Sequence, residues 1–135
     1  MSRILNGGCL CGEIRYTVKD EFRLFHLCHC IQCRRITGSA FASNLFTELR
    51  NLEWVAGQTL TRKFVFPDRE FTKVFCSRCG SGLPFPSNDG KSIIIPAGSL
   101  DEEPDMKPVR NIFWEEHVTW LDAGIISPHI QGFGD

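Results

Sequence analysis

Seven cysteines in three short clusters constrain this chain more than any other feature of its sequence. The clusters read CLC at positions 9–11, CHCIQC at 28–33 and CSRC at 76–79, in a chain of 135 residues. Because seven is odd, the cysteines cannot form a complete set of disulfides within one chain. Closely spaced thiols in a protein of a reducing compartment are typical of metal sites. The chain is therefore expected to fold around bound metal.

The composition is that of a globular protein with a β-rich core. Apolar residues make up 42% of the chain and charged residues 23%, which excludes a disordered chain. Eleven phenylalanines and only two methionines favour strands over helices. We expect a single domain over residues 1–135. Neither a signal-peptide core nor a membrane-spanning apolar run is recognisable, so a cytoplasmic location is expected.

The charge of the chain disfavours nucleic acid as a partner. The formal net charge is −1, and seven thiolates around two Zn²⁺ ions would take it to −4. Proteins that bind nucleic acid usually carry a basic face, which this balance does not provide. A local basic patch made by Arg34, Arg35, Arg62 and Lys63 is the alternative.

Short alternating segments predict an antiparallel β protein with little helix. In EIRYTV, the apolar side chains of Ile14, Tyr16 and Val18 alternate with polar ones, as in a half-buried strand. Further strands are predicted for segments bounded by turn residues: FRLFHLCHC, RKFVF, TKVFC, SIIIP and HVTWL. IQCRRITG predicts one helical turn ending at Gly38, and TELRNLEWVAG is ambiguous between a turn of helix and a strand.

Four of the cysteines have the spacing of a closed structural zinc site. Cys9 and Cys11 are flanked by glycines that permit a bend, and Cys76 and Cys79 have the C-x-x-C spacing of a zinc knuckle followed by Gly80. Tetrahedral Zn²⁺ requires four sulfurs within about 4 Å of one another. The two pairs together predict such a site, which would tie the start of the chain to its middle. Separate buried thiols are the alternative.

The remaining three cysteines are one ligand short of a closed site. Cys28, Cys30 and Cys33 would leave a fourth position open, which distinguishes a catalytic zinc from a structural one. Two other interpretations stay open. His26, or less well His29, would close the site as a fourth ligand, or the trio would act through thiol and disulfide chemistry.

With all three clusters placed, the sequence resembles the glutathione-dependent formaldehyde-activating enzyme family, which also includes centromere protein V. The resemblance runs through nearly the whole chain. It is carried by the segments GGCLCGEIRY, CHCIQCRRITGSAF, VFCSRCGSGLPF and IPAGSLD, and by the late Trp120.

The resemblance implies a fold, two metal sites and an activity. The fold would be of the β-tent type, built from packed antiparallel sheets. A structural zinc is implied for Cys9, Cys11, Cys76 and Cys79, and a more labile active-site zinc for Cys28, Cys30 and Cys33. The implied activity makes or breaks a carbon–sulfur bond between glutathione and formaldehyde.

Two positions depart from the family's usual pattern while the metal ligands are kept. Family members often have arginine where this chain has Lys73, and histidine where it has Asn111, although His117 follows nearby. Lysine keeps the charge of arginine but loses its bidentate fork. We expect these two differences to affect which substrate the protein accepts.

The leading functional prediction is a zinc-dependent carbon–sulfur lyase that acts on a small thiol adduct such as S-hydroxymethylglutathione. A thiol such as glutathione and an aldehyde would be its partners. Arg34 and Arg35, beside the trio, are predicted to receive substrate carboxylates; the alternative is two solvated surface charges. Two rival predictions are a non-catalytic zinc-stabilised binding module and a thiol-redox protein.

Overall fold

The computed structural model describes residues 2–134. Within that range the chain forms eleven β-strands and two α-helices: β1 (Ile4–Gly8), β2 (Arg15–Lys19), β3 (Leu24–Cys28), α1 (Ile31–Thr37), β4 (Ala42–Glu48), β5 (Leu52–Ala56), β6 (Thr61–Val65), β7 (Thr72–Cys76), β8 (Gly82–Leu83), β9 (Phe85–Pro86), β10 (Ser92–Pro96), β11 (Arg110–Ile112) and α2 (Trp120–Ile126). Short 3-10 turns lie at Leu49–Asn51, Gln58–Leu60, Ala97–Ser99 and Trp114–Glu116. The prediction of a mainly β protein with little helix is confirmed. No helix in this range has the length and apolar character needed to cross a membrane.

The strands form three sheets. Their orders are β1-β2-β5, then β11-β3-β4-β10-β9, then β6-β7-β8. Across residues 2–134 the paired strands are antiparallel except for β11, which runs parallel to β3. The prediction of antiparallel sheets is therefore confirmed, and the parallel pair brings a late segment of the chain beside the second cysteine cluster.

The core lies where the first two sheets face each other. The alternation read in the sequence places Tyr16 and Val18 of β2 almost completely inside, and Ile14 just before the strand is also buried. Seven buried residues share this core: Leu5, Tyr16, Val18, Phe25, Leu45, Ile93 and Ile95. Burying side chains of this size contributes about 1.5–3 kcal/mol each. These contacts hold the two sheets that carry the first and second cysteine clusters.

Most predicted segments appear as expected. TKVFC and SIIIP coincide with β7 and β10, while the other confirmed strand segments overlap β2, β3 and β6. IQCRRITG forms α1, whose seven residues make about two turns where one was predicted, and the helix is capped by Gly38 in the left-handed conformation with φ of 66°. The ambiguous segment TELRNLEWVAG contains both structures, because the end of β4, a 3-10 turn and β5 follow one another there.

The strand predicted for HVTWL is wrong. Val118 is buried, but Trp120 begins α2, which continues to Ile126. A five-residue apolar run does not by itself separate helix from strand. Here the helix continues through the following residues, and Pro128, which cannot continue a helix, lies just beyond its end.

Candidate metal centres and active-site cleft

The first and third cysteine clusters meet in one group of four thiols. The sulfurs of Cys9, Cys11, Cys76 and Cys79 all lie within 4.8 Å of one another. The Cys9 and Cys11 sulfurs are 3.5 Å apart, and those of Cys11 and Cys76 are 3.9 Å apart. Four sulfurs at about 2.3 Å from a tetrahedral zinc would be about 3.8 Å apart. The donor set therefore fits a tetrahedral metal ion, in the grouping that the spacing predicted.

Tight turns position these four thiols and direct backbone amides at their sulfurs. Gly12 and Gly80, both with φ near 80°, follow the two pairs and reverse the chain. The amide of Ile14 donates to the sulfur of Cys9 at 3.3 Å, and the amide of Arg78 donates to that of Cys76 at 3.4 Å. Hydrogen bonds of this kind favour the thiolate, which is the form that binds metal.

Hydrogen bonding also acts on Cys79 in this group. The hydroxyl of Ser81 lies 3.2 Å from its sulfur. This hydroxyl, together with the backbone amides of Ser81 and Cys11, lowers the pKa of Cys79 to about 5. At least one ligand of the group is thus prepared as a thiolate near neutral pH.

The second cluster forms a separate and more buried group. Cys28 is the last residue of β3, Cys30 is the residue that caps the start of α1, and Cys33 lies in the first turn of α1. Their three sulfurs lie within 4.8 Å of one another, and all three residues are at most 9% exposed. The amide of Cys33 donates to the sulfur of Cys30 at 3.3 Å. The strand end and the short helix therefore hold three thiols facing one point.

The electrostatics of this trio fit a divalent cation. A hydrogen bond from the thiol of Cys33 lowers the pKa of Cys28 to about 6 in spite of its burial. The same interaction, together with desolvation, raises the pKa of Cys33 far above its ordinary value. Three buried thiolates so close together repel one another, and a metal ion removes that repulsion. We conclude that both groups can hold a metal ion.

Neither histidine considered as a fourth ligand joins the trio. Within residues 2–134, the ligand atoms gathered around Cys28, Cys30 and Cys33 include no histidine nitrogen. The Nε2 atom of His26 accepts a hydrogen bond from Nε of Arg110 at 3.2 Å, and its ring packs against Phe46. The geometry therefore gives no support to a site closed by His26.

His29 is directed into a buried aromatic cluster instead. It is completely buried, and its Nε2 atom donates to Oδ1 of Asn111 at 2.8 Å. Its ring lies edge-on to Trp114 at 4.9 Å, and Trp114 in turn stacks on His117 at 3.8 Å. Asn111 thus supports the backbone between Cys28 and Cys30 from the neighbouring parallel strand.

A large cleft of about 1320 Å³ opens over the trio. Its walls come from α1, β4, β7, the turn between β1 and β2 and the segment after β11. All three cysteines of the trio line it, together with Cys9 of the group of four. Three partly buried apolar residues pack against the trio: Ala42, Phe71 and Ile112. The cleft is large enough for a small-molecule ligand and brings it to the three thiols.

The connection between β6 and β7 covers one side of this cleft. At its tip, Nη1 of Arg69 donates to Oε1 of Gln32 on α1 at 3.0 Å, and its guanidinium lies over the Phe66 ring. The side-chain amide of Asn88 donates to the backbone carbonyl of Glu70 at 2.8 Å. These side-chain bonds keep Phe71 in place against the trio.

Comparison with known proteins decides the family. Residues 4–116 match the family model described as glutathione-dependent formaldehyde-activating enzyme. The chain belongs to this family. A crystal structure of a Rhodobacter sphaeroides protein has a similar fold, with a TM-score of 0.61 and 22% identity over 78% of this chain and 98% of that one. No curated protein matches the chain.

The match confirms the resemblance read in the sequence, and it includes all seven cysteines. Trp120 and α2 lie beyond the matched residues. Of the two positions that the resemblance singled out, Lys73 lines the cleft, and Asn111 contacts His29.

The two arginines predicted to bind substrate lie elsewhere. Arg34 and Arg35 line a second, smaller hollow of about 440 Å³ together with Val118 and Trp120, and neither lines the cleft over the trio. Nη1 of Arg34 donates to the carbonyl of Glu116 at 3.0 Å. Their role as substrate ligands stays a prediction. The cations that line the cleft are Arg15, Arg69 and Lys73.

Helical geometry accounts for this placement. Successive residues of a helix point about 100° apart, so Arg34 and Arg35 are turned away from the direction of Cys33. No local sequence pattern indicates that Phe71 and Arg69 lie over the trio. The sequence predicts the two strands that flank this tip, but the contact of the tip with α1 follows only from the tertiary structure.

Proposed function

We propose that this protein is a zinc-dependent carbon–sulfur lyase that acts on the adduct of a small thiol and an aldehyde. S-(hydroxymethyl)glutathione is the adduct suggested by the family's description. The observation that carries the proposal is the convergence of three buried thiols, rather than four, on a cleft of ligand size.

The residues that would hold zinc follow from the two groups. Cys9, Cys11, Cys76 and Cys79 would hold a structural ion, and Cys28, Cys30 and Cys33 would hold the ion at the cleft. When bound by three protein ligands, zinc supplies a Lewis acid with an open position that can stabilise a thiolate or a developing alkoxide.

The reaction itself is an addition and its reverse. In the forward direction the sulfur of a thiol bonds to the carbonyl carbon of the aldehyde, and the thiol proton ends on the former carbonyl oxygen. In the reverse direction the carbon–sulfur bond breaks, and thiol and aldehyde are released. No oxidant or reductant is needed.

The surrounding residues hold the three thiols in place and keep water away from them. The strand end and the helix start hold the trio on regular structure, which keeps the thiols in one arrangement. Phe71, Ala42 and Ile112 exclude water on the apolar side of the trio. Electrostatic interactions are stronger in such a water-poor site than in bulk solvent.

The proposal is tested by measuring exchange between labelled formaldehyde and its glutathione adduct by NMR. We expect the wild-type protein to accelerate exchange, Cys30→Ser to abolish the acceleration, and Lys63→Ala on β6 to keep it. No acceleration with glutathione or with simpler thiols would refute the proposal.

The metal content gives an independent check. We expect one zinc that resists chelation and a second that is removed easily, because one group offers four ligands and the other three. Two equally resistant ions would show that the second site is closed, which favours the rival prediction of a non-catalytic binding module.

A further inference from the structure

Lys73 places an ammonium group in the cleft without an anionic partner. It lies on β7, is partly buried, and lines the same cleft as the trio. Within residues 2–134 its side chain forms neither an ion pair nor a hydrogen bond to another protein group. Lysine side chains normally extend to place the ammonium in water. A partly buried lysine without a partner therefore calls for a ligand as explanation.

A glycine on the next strand makes room for this ammonium. β8 pairs with β7, and Gly82 lies opposite Phe75. A Cβ atom at position 82 would lie 2.5 Å from Nζ of Lys73 and 3.2 Å from its Cε. Any side chain at position 82 would therefore displace the ammonium, although the flexible lysine could move aside at little cost in stability.

The other two cations of the cleft already have partners. Arg15 forms an ion pair with Asp101, and Arg69 is bonded to Gln32 and lies over the Phe66 ring. Burial lowers the pKa of Lys73, and the charge of Cys33 acts in the opposite direction. Lys73 is thus the cation of the cleft whose charge is least compensated by the protein.

We propose that Lys73, placed by Gly82, is an anion subsite of the cleft and selects thiols that carry a carboxylate. The inference rests on the proposed function, because it assigns part of the substrate to a place in that cleft. A carboxylate beside the ammonium would gain a charge-assisted hydrogen bond in partly desolvated surroundings. The trio would meet the sulfur end of the same molecule.

The same geometry allows a second role for Lys73, and the test has to distinguish it from a carboxylate subsite. Its charge lies near Cys33, so it would also help to neutralise thiolates of the trio. In that case removing the charge weakens the metal site and affects every thiol ligand equally. A carboxylate subsite affects only ligands that carry a carboxylate.

The experiment compares two probes, glutathione and its diethyl ester, which keeps the thiol and the ammonium but has no carboxylate. Binding to the metal-loaded protein is measured by calorimetry for the wild type, Lys73→Met, Lys73→Arg and Gly82→Ala. Lys63→Met, on the neighbouring strand β6 and exposed, is the matched control. Melting temperatures and zinc content establish that each variant is folded and loaded.

We expect Lys73→Met to weaken glutathione binding about ten- to hundredfold, the range for a hydrogen bond to a charged group. Binding of the diethyl ester should change less than about twofold, since it lacks the partner. Lys73→Arg should retain most of the affinity, and Gly82→Ala should lose part of it for glutathione alone.

Three results would overturn the inference. Equal losses for both probes would assign Lys73 to the thiolate charge of the trio. An unchanged affinity of Lys73→Met for glutathione would show that no subsite exists there, while the proposed function would stand if exchange persists. A wild-type protein that binds neither probe but exchanges formaldehyde with a simpler thiol would also reject the subsite and keep the proposed function.

Discussion

The two metal centres should contribute differently to stability, and single ligand substitutions can show it. Cys76→Ser removes a ligand from the group of four, and Cys30→Ser removes one from the trio. Because metal binding energy at a structural site is also folding energy, we expect Cys76→Ser to destabilise the protein strongly. Cys30→Ser should leave a folded chain that has lost the second zinc and its activity.

The size of the contrast follows from the loops that the two sites close. Cys11 and Cys76 are 65 residues apart in the chain, whereas Cys28 and Cys33 are only 5 apart. The entropy of loop closure grows with the logarithm of loop length, so the longer loop restricts the unfolded chain by about 2 kcal/mol more than the shorter one. For a chain of this size, such a difference corresponds to roughly 6–10 °C in melting temperature.

Comparing an exposed with a buried ligand separates the contribution of the metal to stability from that of packing. Cys76 is 1% exposed and belongs to the core cluster with Ile14 and Leu83, whereas Cys11 is exposed. Cys11→Ser therefore tests the loss of a metal ligand with little change in packing. Cys76→Ser should cost about 1–3 kcal/mol more than Cys11→Ser, because it also buries a hydroxyl group.

Thermal unfolding followed by circular dichroism, with zinc measured on the same samples, provides the assay. Melting temperatures should decrease in the order wild type, Cys30→Ser, Cys76→Ser, where both variants are at buried positions, and Cys11→Ser should melt between the wild type and Cys76→Ser. If Cys30→Ser melts as low as Cys76→Ser, the trio is structural and the proposed lyase loses its main support. If Cys11→Ser melts like the wild type, the group of four does not stabilise the fold through a metal.

Two further predictions concern residues around the trio. Asn111→Ala removes the acceptor for the buried Nε2–H of His29, which should lower the free energy of unfolding by about 1–3 kcal/mol in denaturant titrations; an unchanged stability would contradict this support. Gln32→Ala removes the hydrogen bond that holds the tip of the β6–β7 connection, with Arg69, over the cleft. In metal-free protein, a thiol reagent should therefore modify the trio faster in this variant. Cys11, which lies outside the trio, should react at its former rate. Equal rates for the trio in this variant, in the wild type and in the control Gln58→Ala would show that the tip does not restrict access.

The partition of the cysteines could be predicted from the sequence because it depends on local spacing and ligand number. Two pairs complete a tetrahedral set, and three clustered thiols do not, whatever the rest of the fold. The strands β7 and β10 could be predicted for a similar reason, since short apolar segments bounded by turn residues are typical of strands. The same rule gave a wrong prediction for HVTWL, because α2 extends through residues that lie beyond this segment.

Only the tertiary structure decided what surrounds each thiol. The parallel pairing of β11 with β3 joins segments more than 80 residues apart, and it places Asn111 on His29 and Arg110 on His26. No local pattern predicts such a pairing, because its energy comes from contacts distant in sequence. The pairing of β7 with β8 likewise sets the ammonium of Lys73 against Gly82. The grouping of the candidate metal ligands thus follows from their spacing and number, whereas the residues that surround them in the cleft are brought together by the sheets.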